Sequence, residues 1–322
     1  MGKLYLGFDA GTQSVKVAVY DSSWTKVASH SLPTTLGYPN PGWVQMDADE
    51  YVANTVTCMK ACSDELRRKG YDPADVAAIM GDGIICGITG IDADGNAITP
   101  FINYLDSRTK EDVDAINSTP REIWGRETGN PEASCMFPAM FARWFLKNSD
   151  AFKERGVKFV HDAPYILMHL AGLKAEDAFI DWGTMSGWGL GYRVMDKVWS
   201  EEQLEILGID PKYMPKILKP WDIVGKLTAE LAEKTERFHG SHGAGNTGVD
   251  ICRDKTACLA DLGANKHFVA LFDQGFRRSA DVLAHQDAYL RGQRHRNRFA
   301  CSSCFVMRRM RAKRRTFQLV QH

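Results

Sequence analysis

The chain has 322 residues, of which 44% are hydrophobic and 25% charged, and its formal net charge at pH 7 is zero. These values are ordinary for a globular protein, and a chain of this length does not depend on disulfides to fold. No run of 18 apolar residues occurs, so the sequence predicts no transmembrane helix, and the N-terminus lacks the apolar core of a secretory signal. We therefore expect a cytoplasmic protein with no membrane partner, whose eight cysteines are mostly buried free thiols.

The chain opens with a pattern typical of antiparallel strands. Residues 4–8 favour a strand, and residues 15–20 alternate and are rich in β-branched side chains, so a hairpin is predicted across the turn at residues 9–13. A third strand is expected near residues 26–32.

A long helix is predicted next. Asp47 or Asp49 can cap its start, and apolar residues then recur at helical spacing until Gly70. Residues 75–80 lead into another strand, and the glycine-dense segment 81–90 indicates backbone packed beside a cleft.

The later part of the chain is mainly helical in pattern. An antiparallel start followed by helices predicts an α/β or α+β fold. The predicted helices cover residues 109–116, 137–147, 164–170, 201–207 and 228–234.

A composition break separates the C-terminal segment from the rest. Residues 291–322 contain ten Lys or Arg and no acidic residue, whereas the first 290 residues have a net charge of −10. Sustained periodicity also fades after residue 237. The sequence therefore predicts a folded unit over 1–237, a less regular segment over 238–290 and a basic irregular tail over 291–322.

The turn between the first two strands has the chemistry of a phosphate site. Gly11 allows backbone N–H groups to approach an anion closely, the hydroxyls of Thr12 and Ser14 can donate to phosphate oxygens, and Asp9 can hold a Mg²⁺ ion or its water. The alternative is a plain hairpin turn whose glycine serves only the backbone. The pattern is neither a P-loop nor a dinucleotide fingerprint, because it leads into a strand.

Several ordered segments resemble the FGGY carbohydrate kinases, which belong to the actin-like, ribonuclease H-like ATPases. Residues 7–21, 41–47 and 83–95 resemble that family's first phosphate motif, its Pro-Gly-Trp segment and its sugar-site loop with the following strand. Tyr104-Leu-Asp-Ser-Arg108 resembles its Trp-Asn-Asp-Ser-Arg motif. The resemblance extends over roughly residues 3–235 and implies an α/β, ribonuclease H-like N-terminal lobe followed by an incomplete or irregular C-terminal part.

The resemblance implies an ATP-dependent enzyme that phosphorylates a sugar hydroxyl, with a pentulose such as xylulose as the nearest substrate. ATP and Mg²⁺ are the implied cofactors. The residues implied to bind the phosphates are Asp9, Gly11, Thr12, Gln13 and Lys16, and Asp9 is also the implied metal ligand. The residues implied to bind the sugar are Asp82, Gly83, Asp106 and Arg108. The alternative for Lys16 is a solvated strand residue, and for Asp106 and Arg108 a structural pair that holds their loop.

One departure from the family concerns the sugar loop. Xylulokinases typically carry Gly-Gln-Met-His-Gly there, whereas this chain has Gly83-Ile-Ile-Cys-Gly87. Ile84 and Cys86 thus replace a polar Gln and a His. Because a buried hydroxyl without a partner is costly, we expect the preferred sugar to differ from xylulose itself.

The general base of the family is an Asp that soon follows a strand. Three positions compete for that role here: Asn246, whose amide cannot take a proton, Asp250 and Asp254. Asp254 is the preferred catalytic base, and the alternative is that none of the three acts as one.

The length raises a further expectation. FGGY kinases usually have a second lobe that holds the adenosine, and the last residues of this chain do not resemble it. The sequence therefore predicts a truncated chain with impaired turnover, and the basic tail has the look of an out-of-frame reading. A non-catalytic sugar-binding protein is the main alternative. No nucleic-acid partner is expected, and a homodimer is left open.

Overall fold

The computed structural model describes residues 2–220, 222–235 and 250–252. The strands are β1 (Leu4–Ala10), β2 (Ser14–Tyr20), β3 (Lys26–Pro33), β4 (Gln45–Met46), β5 (Val76–Gly83), β6 (Gly87–Ile91), β7 (Phe101–Asn103), β8 (Lys158–Val160), β9 (Phe179–Asp181), β10 (Tyr192–Arg193), β11 (Val198–Trp199), β12 (Lys216–Leu218), β13 (Ile223–Lys226) and β14 (Asp250–Cys252). The helices are α1 (Ala48–Arg68), α2 (Lys110–Asn117), α3 (Glu122–Thr128), α4 (Pro138–Asn148), α5 (Asp150–Arg155), α6 (Asp162–Ala171), α7 (Trp182–Ser186), α8 (Glu201–Leu207) and α9 (Ala229–Lys234).

A six-stranded mixed sheet forms the centre of the fold, in the order β13-β14-β5-β1-β2-β3. β1, β2 and β3 are antiparallel neighbours, whereas β1 and β14 both run parallel to β5. Alternation in β1 buries Leu4, Leu6, Phe8 and Ala10, which is why that strand reads as period two in the sequence. Because β1 and β5 are parallel, the C-terminal ends of both strands lie at the same edge of the sheet.

Helix α1 covers one face of this sheet beside α6. Its start is capped by Asp47, whose side chain accepts from the backbone N–H of Asp49 at 2.9 Å, and it stops before Gly70, where φ is +81°. The buried stripe of the helix includes Tyr51 and Leu66, which pack into the core under β1, β2 and β3. Tyr165 of α6 donates to Asp49 at 2.6 Å and joins the two helices.

A smaller sheet in the order β4-β7-β6-β8 lies next to a second apolar core. β6 and β7 are antiparallel, with Gly87 opposite Asn103 and Ile88 opposite Ile102. The chain therefore enters β6 and leaves β7 at the same edge. That edge carries the sugar-loop residues before Gly87 and the segment after Asn103.

The predicted elements of the first 235 residues are confirmed. The strands expected at residues 4–8, 15–20, 26–32 and 75–80 and all six predicted helices are present, with shifts of a few residues at their ends. Short elements such as α3, α5 and β8 were not predicted. Cys58 and Cys62 are buried free thiols, as expected.

Two further predictions fall on the C-terminal part. The segments predicted over 238–290 and 291–322 lie outside the described residues, apart from β14. Within the described part of the chain, no helix has the length and apolar content needed to cross a bilayer.

Candidate active site

The turn between β1 and β2 is held by one backbone hydrogen bond of its own and by two side-chain hydroxyls. Gly11 donates its N–H to the carbonyl of Ser14 at 3.0 Å, and a Cβ placed on Gly11 would lie 3.3 Å from that oxygen. Thr34 donates its hydroxyl to the Thr12 carbonyl at 2.8 Å, and the Tyr51 hydroxyl lies 3.3 Å from the Gly11 carbonyl. These bonds engage the carbonyls of Gly11, Thr12 and Ser14, while Gln13 at the tip of the turn is exposed.

Two charged side chains flank this turn on neighbouring strands. Lys16 Nζ lies 3.1 Å from Asp9 Oδ2, with 57% and 46% of the two side chains exposed. An ion pair this exposed contributes about 0–1 kcal/mol, so either partner can turn to a ligand at little cost. Lys16 is therefore largely exposed beside this turn, and its role towards a phosphate stays a prediction.

Asp82 completes the acidic edge. It is the penultimate residue of β5 and lies directly opposite Asp9 in the parallel register, and Gly83 lies opposite Ala10. Mg²⁺ usually keeps several waters and takes one or two carboxylates together with substrate phosphates. In the described part of the chain no three His, Cys, Asp or Glu side chains are arranged to hold a metal by themselves. Asp9 and Asp82 thus fit a metal that arrives with a nucleotide.

A cavity of about 230 Å³ opens beside this edge. Its lining includes Asp82, Ile84, Asp162 and Thr184. Two more open depressions elsewhere, of about 650 and 570 Å³, contain none of the site residues that the sequence predicted. The cavity beside Asp82 is therefore the candidate sugar site.

Asp162 is a site residue that sequence reasoning missed. This buried carboxylate begins α6 and accepts from the backbone N–H groups of Ile84, at 2.9 Å, and Ala163, at 2.8 Å. Burial raises the pKa of Asp162 to about 8; the two N–H donors act against that rise, and the charges of Asp82 and Asp9 add to it. Asp162 thus fastens the sugar loop to α6.

His161, the preceding residue, is equally enclosed. Among the residues that the structure describes, neither ring nitrogen makes a hydrogen bond of ordinary geometry, and neither does the indole N–H of the neighbouring Trp188, whose ring lies 5.6 Å away. Burial lowers the pKa of His161 to about 3, although the Ile85 carbonyl favours the protonated form. A neutral imidazole with orphaned nitrogens therefore lies directly behind the sugar loop.

Asp106 and Arg108 form a buried ion pair. Their side chains are 0% and 1% exposed, with 2.9 Å between Arg108 Nη2 and Asp106 Oδ2. Asp106 also accepts from the backbone N–H of Val44, and the guanidinium lies 4.0 Å from the Trp43 ring centre. This geometry is that of the structural pair named above as the alternative; sugar contact by these two residues stays a prediction.

The remaining predicted residues divide into two groups. The β1 hairpin and the β1–β5 pairing bring the first group to one edge of the central sheet. This group consists of Asp9, Gly11, Thr12, Gln13, Lys16, Asp82 and Gly83. Asp254 and Asn246 lie outside the described residues, and Asp250 is described only as the first residue of β14. A sequence signal for Asp162 was available in principle, because an acidic residue just before an apolar helix is a common N-terminal pattern.

Comparison with known proteins places the fold. A model of the FGGY family of carbohydrate kinases, N-terminal domain, matches residues 4–239. The xylulose kinase of Klebsiella pneumoniae is 26% identical over 309 residues, which cover 91% of this chain and 59% of that protein. The glycerol kinase 1 of Pseudomonas aeruginosa is 27% identical over 232 residues, which cover 68% of this chain and 44% of that protein.

Solved structures agree on the architecture. The xylulose kinase from Rhodospirillum rubrum has a TM-score of 0.68 at 21% identity, over 78% of this chain and 48% of that chain. A Plasmodium falciparum glycerol kinase with ADP has a TM-score of 0.67 at 18% identity, over 80% and 50%. The predicted actin-like α/β fold is confirmed by these matches. The chain spans about half the length of the curated relatives it matches.

Proposed function

Because this chain belongs to the FGGY family of carbohydrate kinases, we propose that it binds ATP with Mg²⁺ and transfers the terminal phosphoryl group to a hydroxyl of a small sugar. The observation that carries the proposal is the exposed Asp9–Lys16 pair at a glycine turn, on the edge that also holds Asp82 and the cavity. A pentulose such as xylulose is the proposed acceptor, supported by the xylulose kinases among the relatives.

The reaction needs positioning and charge neutralisation more than covalent chemistry. The oxygen of the sugar hydroxyl bonds to the γ-phosphorus, the bond from that phosphorus to the β–γ bridging oxygen breaks, and the hydroxyl proton passes to a carboxylate. ATP and Mg²⁺ supply the phosphoryl group and part of the charge that stabilises it. The backbone of Gly11 and Thr12, with Gln13, would line the phosphates, Lys16 would donate to them, and Asp9 would face the metal.

We propose Asp254 as the base. β14 runs parallel to β5, and its last residue, Cys252, pairs with Met80, so this strand points to the edge where β5 ends in Asp82 and Gly83. Asp254 follows Cys252 by two positions in the sequence, whereas Asn246 precedes the strand. The resemblance stated above implies a base soon after a strand, which favours Asp254 over Asn246 and Asp250.

The proposal is tested by a direct transfer assay. The 322-residue chain is incubated with ATP, Mg²⁺ and a panel of pentuloses and polyols; ADP is measured by enzymatic coupling and sugar phosphate by ³¹P NMR. We expect acceptor-dependent product that falls about 100-fold in Asp9→Asn, as for the loss of one preorganised electrostatic group. Lys110→Met, which removes an exposed charge on α2, is the matched control and should leave the rate unchanged.

The alternatives give different results. Calorimetric sugar binding with no transfer to any acceptor would favour the non-catalytic sugar-binding protein. The absence of both sugar binding and transfer would overturn the proposal. Slow turnover by this chain alone, below about 1 per second, stays a prediction that the same assay checks. A cytoplasmic location, a possible homodimer and the absence of nucleic-acid binding also stay predictions.

A further inference from the structure

Tyr104 reaches the turn between β1 and β2, here called the phosphate turn, from the smaller sheet. It follows Asn103, the last residue of β7, which pairs with Gly87 at the start of β6. The Tyr104 hydroxyl lies 3.5 Å from Thr12 Oγ1, and this contact joins segments 92 positions apart in the sequence. Because the sugar loop ends at Gly87, Tyr104 approaches the phosphate turn from the side of that loop.

The backbone on both sides of Tyr104 is held by buried polar groups. The side-chain oxygen of Asn103, a fully buried residue, accepts from the Leu105 N–H at 3.0 Å. Asp106, which belongs to the buried ion pair described above, accepts from the Val44 N–H at 2.6 Å. Tyr104 itself is 41% exposed. An accessible phenol is therefore presented by backbone that is anchored before and after it.

The phenol of Tyr104 has a proton that it can donate to a ligand. Thr12 is the donor in their contact, so the phenol oxygen is the acceptor there. Within the described residues, no atom accepts a hydrogen bond from the phenol O–H. Tyr51, which also lies at this turn, is buried instead, and its hydroxyl donates to the Gly11 carbonyl at 3.3 Å. A 3.5 Å contact is longer than an ordinary O–H···O bond, so the Tyr104 hydroxyl can turn to a ligand at little cost.

The phenol lies between the phosphate turn and the sugar loop, where a group passing from nucleotide to acceptor would be. In phosphoryl transfer the charge of the terminal group is spread over three equatorial oxygens, which preorganised donors stabilise. We propose that Tyr104 donates a hydrogen bond to the terminal phosphoryl group of the bound nucleotide and that the Thr12 hydroxyl orients the phenol. No covalent bond forms to Tyr104, and the phenol keeps its proton.

This inference rests on the proposed kinase function and adds a ligand of the terminal phosphate to it. The matching position of the family motif quoted above is Trp, which has no hydroxyl, so the contact would be particular to this chain. Lys16 supplies a charge at the same turn, whereas the phenol is a neutral donor. The two residues therefore differ in what their removal should do: loss of the lysine charge affects every phosphate, and loss of the phenol affects the terminal one.

The test compares two nucleotides that differ in the terminal phosphate. Binding of ADP and of the non-hydrolysable ATP analogue AMPPNP, each with Mg²⁺, is measured by calorimetry for the 322-residue chain and for Tyr104→Phe. We expect the variant to bind AMPPNP about tenfold more weakly, as for the loss of one hydrogen bond to a charged group, and ADP as tightly as the wild type. Affinity for D-xylulose in the presence of ADP should stay the same.

Two further variants sharpen the result. Tyr71→Phe makes the same change beyond the C-terminal end of α1, a helix about 30 Å long whose first turn holds Tyr51, and should leave both nucleotide affinities unchanged. Thr12→Val should weaken AMPPNP binding less in the Tyr104→Phe background than in the wild type, because the two hydroxyls act as one chain. Equal losses in the two backgrounds would overturn the role of Thr12 in orienting the phenol.

The remaining outcomes separate this inference from the kinase function. An equal loss of ADP and AMPPNP binding in Tyr104→Phe, no loss of either, or a loss of D-xylulose binding alone would overturn the inference and leave the kinase function intact. Failure of the wild-type chain to bind either nucleotide would overturn both. Urea unfolding of Tyr104→Phe, with a midpoint equal to that of the wild type, checks that the variant is folded.

Discussion

Replacement of Asp106 by Asn tests whether the Asp106–Arg108 pair has a structural role. The change keeps the shape of the side chain and removes the charge that neutralises a guanidinium with 1% exposure. Arg108 would retain the Gln45 amide oxygen, at 3.2 Å, and the faces of Trp43 and Trp144 at 4.0 and 5.0 Å. None of these carries a negative charge.

The magnitude follows from the cost of an unpaired buried ion. Removal of one partner of a buried pair costs about 3–5 kcal/mol, and the rings and the amide offset only part of that. Arg108→Met should cost less, because Asp106 still accepts from the backbone N–H groups of Val44 and Arg108, at 2.6 and 2.7 Å. The double variant should cost less than the sum of the two single variants.

The assay is urea unfolding of the wild type, the two single variants and the double variant, followed by circular dichroism. Lys110→Met is again the control, since its ion pair with Asp114 is largely exposed and its loss should not move the unfolding midpoint. An Asp106→Asn variant as stable as the wild type would refute the structural role. If that variant also lost sugar binding, Asp106 would instead be a ligand-contacting residue.

Two further predictions concern the buried residues behind the sugar loop. Asp162 has a pKa raised to about 8, so it should contribute stability at low pH that is lost as the pH rises through 8. His161 has a pKa lowered to about 3, so it should contribute stability at neutral pH that is lost as the pH falls through 3. Between about pH 4 and 6.5 the two trends oppose each other. His161→Phe should therefore make the free energy of unfolding fall with rising pH, by about 1.4 kcal/mol per pH unit, and Asp162→Asn should make it rise. Urea unfolding at several pH values checks this, and parallel curves for the wild type and both variants would contradict it. Gly83→Ala should destabilise the fold by about 1–3 kcal/mol, because its Cβ would lie 2.6 Å from an Asp162 oxygen that two backbone N–H groups hold in place. Gly7→Ala on β1, whose Cβ would meet nothing within 4 Å, is the control for that change, and equal unfolding midpoints for the two variants would count against the argument.

Much of the fold was predictable because its signals are local. Period-two burial in β1 and the capped, amphipathic α1 are written in neighbouring residues, and the structure reproduces both. Short elements such as β8 and α5 were missed, because three to six residues carry too little periodicity to stand out, and β8 also depends on pairing with the distant strand β6.

The candidate site was predictable only in part. The sequence by itself determined the glycine turn with Asp9, Thr12 and Lys16, since these residues are close along the chain. Only the tertiary structure decided that Asp162 holds the sugar loop from 78 residues away and that Asp106 turns inward while Leu105 turns outward. The physical reason is that side-chain direction at the ends of β6 and β7 is set by strand register and by what packs behind each loop, and neither is encoded in the local pattern.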